Sequence, residues 1–169
     1  GIDTRNYIKV FNSILSIPVT GYVVNIEESF RIICTILLKI WENYQFLFCV
    51  FALITNACIV MRLWDFRESI SFSWAVIFYI FSFYFLSLNI MRQMCAVAIV
   101  FWATRYLKQG RYLLFSMFVA IGALFHSSAV LGFGYLVLEL FWSAHFSKRR
   151  KILLTSLLLI GILLSTYLL

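Results

Sequence analysis

Charge is what this sequence has least of. Asp, Glu, Lys and Arg make up 12% of its 169 residues, about half the share of an ordinary soluble domain. A water-exposed globular fold of this length is thereby excluded, because it would have too little polar surface to cover its core. Several chemical signatures are also missing. There is no GxxxxGK[ST] loop, no HExxH pair and no DxD pair of the kind metal-dependent sugar-nucleotide transferases use. Nothing supports a bound metal, and no cofactor is expected. His126 and His145 fall at opposite ends of one apolar span, so they cannot jointly ligate a haem. The four cysteines, Cys34, Cys49, Cys58 and Cys95, form no CxxC pair and lie in apolar surroundings, where they read as small apolar fillers. No internal repeat is visible.

Apolar residues are abundant. Hydrophobic residues make up 63% of the chain and aromatics 19%, with a mean hydropathy of +0.96. These values predict an integral membrane protein of the all-α class, a polytopic transmembrane helical bundle rich in bilayer-buried and interfacial aromatics. The net charge of +7 is not a nucleic-acid footprint. The basic residues sit in short clusters between apolar runs, whereas a groove-binding stripe needs a soluble face. The sequence begins at Gly1 rather than Met and ends inside an apolar run, so a fragment of a longer polytopic protein is expected, with further helices at both ends.

Residues 1–26 are mixed in polarity, and Pro18 and Gly21 interrupt them. They read as a loop with one short helix. Residues 27–42 read as a helix in which Arg31, Thr35 and Lys39 recur every four residues as one polar stripe. Glu27 and Glu28 suit the positive end of its dipole. Such a helix lies at the membrane interface or packs on the bundle. Apolar spans follow at 44–61, at 70–88 and at about 93–107, with a polar knot of Asn89, Arg92 and Gln93 before the third. Residues 112–144 are too long for one crossing of roughly 20 residues and short for two. Basic clusters lie on both sides of this stretch, which requires an even number of crossings. Two short helices turning at Phe125–Ser128 satisfy that, and a last span takes 152–169.

The loops at 62–68, 105–111 and 145–151 hold 9 of the 14 Lys and Arg, which places them in the cytoplasm. Residues 1–43, the Asn89–Gln93 knot and the His126 turn then share the outer side. The domain reading is one transmembrane domain over 1–169: an extracytoplasmic loop and amphipathic helix at 1–43, then about five spans over 44–169.

Arg92 lies between two apolar spans, where a charged side chain is costly and usually functional. Its planar fork matches phosphate oxygens; the plain alternative is an interfacial arginine reaching the headgroups. His126 can exchange a proton near neutral pH, or it is a polar turn residue bonded to a backbone carbonyl. Ser127 and Ser128 read as helix caps rather than nucleophiles. Asp3 and Tyr7 place an acid and a phenol one helical turn apart. Near a positive site the aspartate could act as general base, and elsewhere it is a surface carboxylate. Glu27 and Glu28 carry the same two readings. Asn56 reads as an interhelical hydrogen bonder, Glu139 as a partner of the following basic loop, and His145 as a solvated loop residue.

Three segments together resemble the EpsG family of Wzy-like polysaccharide polymerases. GIDTRNY at Gly1–Tyr7 resembles the family's Gly-x-Asp-(Thr)-x-x-Tyr start. NIMRQMCAVAI at Asn89–Ile99 resembles its Asn-x-x-Arg-Gln-x-x-Ala stretch, and ALFHSSAVL at Ala123–Leu131 resembles its Phe-His-Ser-Ser-Ala signature. Spacing and order agree over most of the chain. The resemblance implies a metal-independent glycosyltransferase in the bacterial cytoplasmic membrane. It would polymerise oligosaccharide units linked to undecaprenyl diphosphate into exopolysaccharide, capsule or O-antigen at the outer face. Arg92, His126 and Asp3 would be catalytic, with Asn89, Gln93, Tyr7, Ser127, Glu27 and Glu28 around the substrate. The diphosphate leaving group needs a cation, which Arg92 supplies, and the acceptor hydroxyl needs a base, for which Asp3 or His126 serves. The implied partners are the lipid-linked oligosaccharide, membrane lipid, and chain-length regulator or flippase proteins, with no nucleic acid.

Three other readings compete. A membrane O-acyltransferase with His126 as base would take its acyl donor from the cytoplasm, against the outward placement of His126. A transporter or flippase for lipid-linked sugars would use Arg92 to hold diphosphate without chemistry, and internal repeats would favour it. A non-catalytic membrane subunit is the third.

Overall fold

The computed structural model describes residues 2–16 and 27–143. The chain divides into two compact units, Gly1–Gly132 and Phe133–Leu169. Every described element is helical: α1 (Ile2–Ser16), α2 (Glu28–Ile40), α3 (Tyr44–Asp65), α4 (Phe72–Ser87), α5 (Met91–Lys108) and α6 (Tyr112–Phe125). A 3₁₀ turn at Ser127–Gly132 completes the first unit. The described part of the second unit is the helix α7 (Phe133–Ser143). Pro18, Gly21, the basic loop at 145–151 with His145, and the expected span at 152–169 lie outside the described residues.

The amino-terminal segment departs from its reading as a loop with one short helix: residues 2–16 form a helix of 15 residues. Tyr7, Val10, Phe11 and Ile14 recur at helical spacing, and Val10 and Phe11 are buried. The polar residues between them disguise that stripe. α2 follows its reading closely. Phe30, Cys34 and Leu38 point inward at four-residue spacing, while Ile32, Ile36 and Ile40 remain exposed beside the polar stripe.

α3 is 22 residues long, about 33 Å at 1.5 Å per residue. Among the described residues it is the one helix long and apolar enough to cross a membrane. Asn43 caps it by accepting from the Gln45 N–H at 2.8 Å. Leu47, Phe51, Thr55, Ile59 and Arg62 form its buried face. It runs beyond the span expected at 44–61, and the turn of the expected 62–68 loop begins only after Asp65. α4 carries one wide π-helical turn at Ile80–Tyr84. Tyr79 on α4 donates its hydroxyl to Asn56 Oδ1 at 2.9 Å, so Asn56 does join two helices.

α5 is the centre of the first unit and packs along both α3 and α6. Its Cys95, Ala96, Ala98 and Ala103 are fully buried, and such small residues let helix backbones approach closely. Two glycines complete the fit. A Cβ on Gly132 would lie 2.8 Å from Val100 Cγ1, and one on Gly122 would lie 3.3 Å from the Ala96 carbonyl oxygen. The reversal between α5 and α6 uses Gly110 at φ 69°, in the left-handed region glycine tolerates.

The connections divide the unit into two ends. Glu27, Arg92 and His126 mark one; Arg62, Asp65, Arg105 and Arg111 mark the other. Arg92 and Arg105 lie about 20 Å apart along α5. Large apolar side chains cover the outside as well as the interior: Leu53, Trp74, Phe81 and Leu113 are 70–79% exposed.

Candidate functional site

The site is built at the first of these ends from three segments far apart in sequence. Glu27 immediately precedes α2, with extended-side dihedrals φ −57° and ψ 133°. Its backbone carbonyl accepts from the Arg31 N–H at 3.1 Å, so the helix start fixes where the side chain projects. Arg92 sits in the first turn of α5, and His126 ends α6. The extended backbone of His126, φ −158° and ψ 129°, terminates that helix.

The Glu27 carboxylate holds these pieces together. Its Oε2 accepts from the Arg92 guanidinium in an ion pair, and its Oε1 lies 3.5 Å from the Ser127 N–H. Ser29, two residues on, donates to the Leu124 carbonyl at 2.9 Å and occupies one of the carbonyls left over at the end of α6. The Arg92 guanidinium carbon stands 5.2 Å from the centre of the Phe30 ring, a cation–π contact that steadies it from the side. The Arg92 side chain is 16% exposed and that of Glu27 29%. The Arg92 Nε–H is buried and has no acceptor among the described residues, so the cation retains a hydrogen bond to give.

Burial pushes the Glu27 carboxyl up. Its own backbone N–H, Arg92, the Ser127 N–H and His126 outweigh that and hold it below the usual glutamate value. It is therefore an anion at neutral pH. Cys34 is also close enough to feel Arg92, but burial pushes its thiol up to about 12, so it provides no counter-charge.

His126 is held by its own turn. The Ser128 N–H donates to Nδ1 at 3.2 Å, and the Ser128 hydroxyl lies 2.9 Å from the same atom. A nitrogen that accepts from a backbone N–H carries no proton. In the neutral ring the proton therefore sits on Nε2, which is a donor. Ser128 thus fixes the ring, a role its reading as a cap did not anticipate.

The structure therefore gathers Arg92, Glu27, Ser127 and His126. Glu28 is instead exposed and paired with Arg31. Asn89 and Gln93 flank Arg92 in sequence with exposed side chains. Tyr7 stacks on Phe11 at 6.3 Å within α1. Asp3 lies in the first turn of α1, and its side chain is outside the described residues. Sequence reasoning missed Phe30 and Ser29; the signal available was their spacing from Glu27 on the first turn of an amphipathic helix. Among the described residues no three His, Cys, Asp or Glu gather into a metal-ligand set.

The model of the EpsG family matches residues 1–169, the whole chain. No curated protein and no solved structure gives a significant match.

Proposed function

The chain belongs to the EpsG family, a family associated with polysaccharide biosynthesis, and from there we propose that it is a multi-pass membrane glycosyltransferase. It extends a lipid-linked glycan at the outer face of the bacterial cytoplasmic membrane. The observation that carries this reading is the convergence on Glu27 of a partly buried arginine and the His126 turn. The exposed apolar exterior and the 22-residue α3 support a lipid surround. The basic residues at the opposite end support a cytoplasmic placement for that end.

The proposed reaction is a glycosyl transfer. A hydroxyl of the incoming lipid-linked unit attacks the anomeric carbon that bears the growing chain. The new C–O bond forms as the bond from that carbon to the diphosphate oxygen breaks, and the electron pair leaves with the diphosphate. Arg92 stabilises that leaving group: its fork matches two phosphate oxygens, and its Nε–H is already poised to donate. Phosphate binding there competes with the Glu27 carboxylate. Once released, Glu27 is an anion beside the reacting centre and accepts the proton of the attacking hydroxyl; Asp3 is the alternative base. His126 donates from Nε2 to a sugar or phosphate oxygen. The product would be exopolysaccharide, capsule or O-antigen, and the polyprenyl tails lie along the apolar exterior.

The test is reconstitution of the full-length protein in liposomes with synthetic lipid-linked repeat units. A ladder of longer glycans is the expected result. Translocation of the units without elongation would replace this reading with that of a flippase.

A further inference from the structure

At the opposite end of the first unit, four cations surround a cleft of about 480 Å³. Arg62, in the last turn of α3, has a side chain only 5% exposed. Its Nε donates to Thr104 Oγ1 at 2.9 Å, and its Nη1 donates to Asp65 at 3.1 Å. Arg105 on α5 grips the same carboxylate, donating to Oδ1 and Oδ2 at 2.6 Å. Lys108 and Arg111 complete the lining, with Lys108 Nζ and the Arg62 guanidinium carbon 4.9 and 4.3 Å from the centre of the Phe66 ring. Among the described residues, Asp65 is the one acidic member of the lining. Four positive charges against one negative leave an excess of three.

The cytoplasmic bias of basic residues explains why such side chains occur in this turn. It does not explain why Arg62 is sunk into the helix packing and tethered on both sides, nor why four like charges share one concavity. Fixed guanidinium groups around a cavity of this size form a preorganised receptor for an anion. We propose that this cleft binds a phosphate group, supplied by the headgroup of an anionic lipid in the cytoplasmic leaflet. Basic pockets between membrane helices on that side have the right position and charge for such headgroups. Asp65 bridges the two arginines, while Lys108 and Arg111 meet the bound anion.

The full-length protein in neutral detergent is titrated with phosphatidylglycerol, with phosphatidylcholine and, in a separate arm, with inorganic phosphate. Binding is read by native mass spectrometry and by thermal shift. The discriminating variant is K108Q/R111Q, because both residues are exposed; K39Q, likewise exposed on α2, is the control. Phosphatidylglycerol is expected to bind in preference to phosphatidylcholine. The double variant should weaken it about thirty-fold, the effect of two cations near an anionic surface, while K39Q leaves it unchanged. Inorganic phosphate bound with the same loss in the double variant would assign the site to a soluble phosphate. Wild-type affinity for both anions in the double variant, or equal binding of phosphatidylcholine, would overturn the proposal.

Discussion

Glu27 and Arg92, 65 residues apart in sequence, form the ion pair that ties the start of α2 to the start of α5. Because the same carboxylate faces the Ser127 N–H, it is, among the described residues, the group that links both polar segments of the candidate site. Its removal should therefore affect stability and activity together. E27Q leaves a partly buried guanidinium without its counter-charge and is expected to lower stability by about 1–3 kcal/mol, between the values for surface and buried pairs. Thermal melts of E27Q, R92Q and the double variant in detergent check this: the double variant should lose clearly less than the sum of the singles.

The same carboxyl sets a pH dependence. Its folded value lies below the usual one, so its contribution is fully present above the ordinary glutamate value of about 4.3. That contribution fades as the pH falls through the lower folded value. Melting temperature measured against pH should therefore drop more steeply below about pH 4 in the wild type than in E27Q. Parallel curves would remove the ion pair from the account.

The fit of the His126 turn against α5 rests on Gly132. G132A places a methyl 2.8 Å from Val100 Cγ1, and Val100 is stiff at χ1. A loss of about 1–3 kcal/mol is expected from overpacking. V100A should restore most of it, as measured by the melting temperature of the double variant against G132A.

The bond between Tyr79 and Asn56 is a smaller effect. Y79F removes the hydroxyl and keeps the ring, so a loss of about 0.6 kcal/mol is expected, the average for hydrogen bonds between membrane helices. A loss several times larger would show that the pair anchors α4 rather than merely satisfying two polar groups.

The helix break at His126, the face of α2 and the grouping of Arg62 with Arg105, Lys108 and Arg111 at one end were legible in the sequence. Each is a local signal: three consecutive polar residues, His126 to Ser128, in an apolar run, a four-residue period, and a charge cluster. The partner of Arg92 was not legible, because nothing local relates position 27 to position 92; the pairing arises only when α2 packs against α3 and α6 and so brings Glu27 to the start of α5. Arg62 was misplaced for the opposite reason. A basic residue at the edge of an apolar run reads as a solvated loop cation, yet Thr104 and Asp65 hold it inside the helix packing. The helix at residues 2–16 was obscured because Asp3, Thr4, Asn6 and Asn12 dilute an apolar stripe that tertiary contact nevertheless buries at Val10 and Phe11. The π turn in α4 interrupts a uniformly apolar run and leaves no trace in composition.

The most direct measurement is glycan elongation by R92A and R92K in liposomes, with membrane insertion verified for each. If the guanidinium holds the departing diphosphate, R92A gives no ladder and R92K, a point charge without the fork, elongates at least tenfold more slowly. An R92A protein that builds the ladder at the wild-type rate would contradict the assignment.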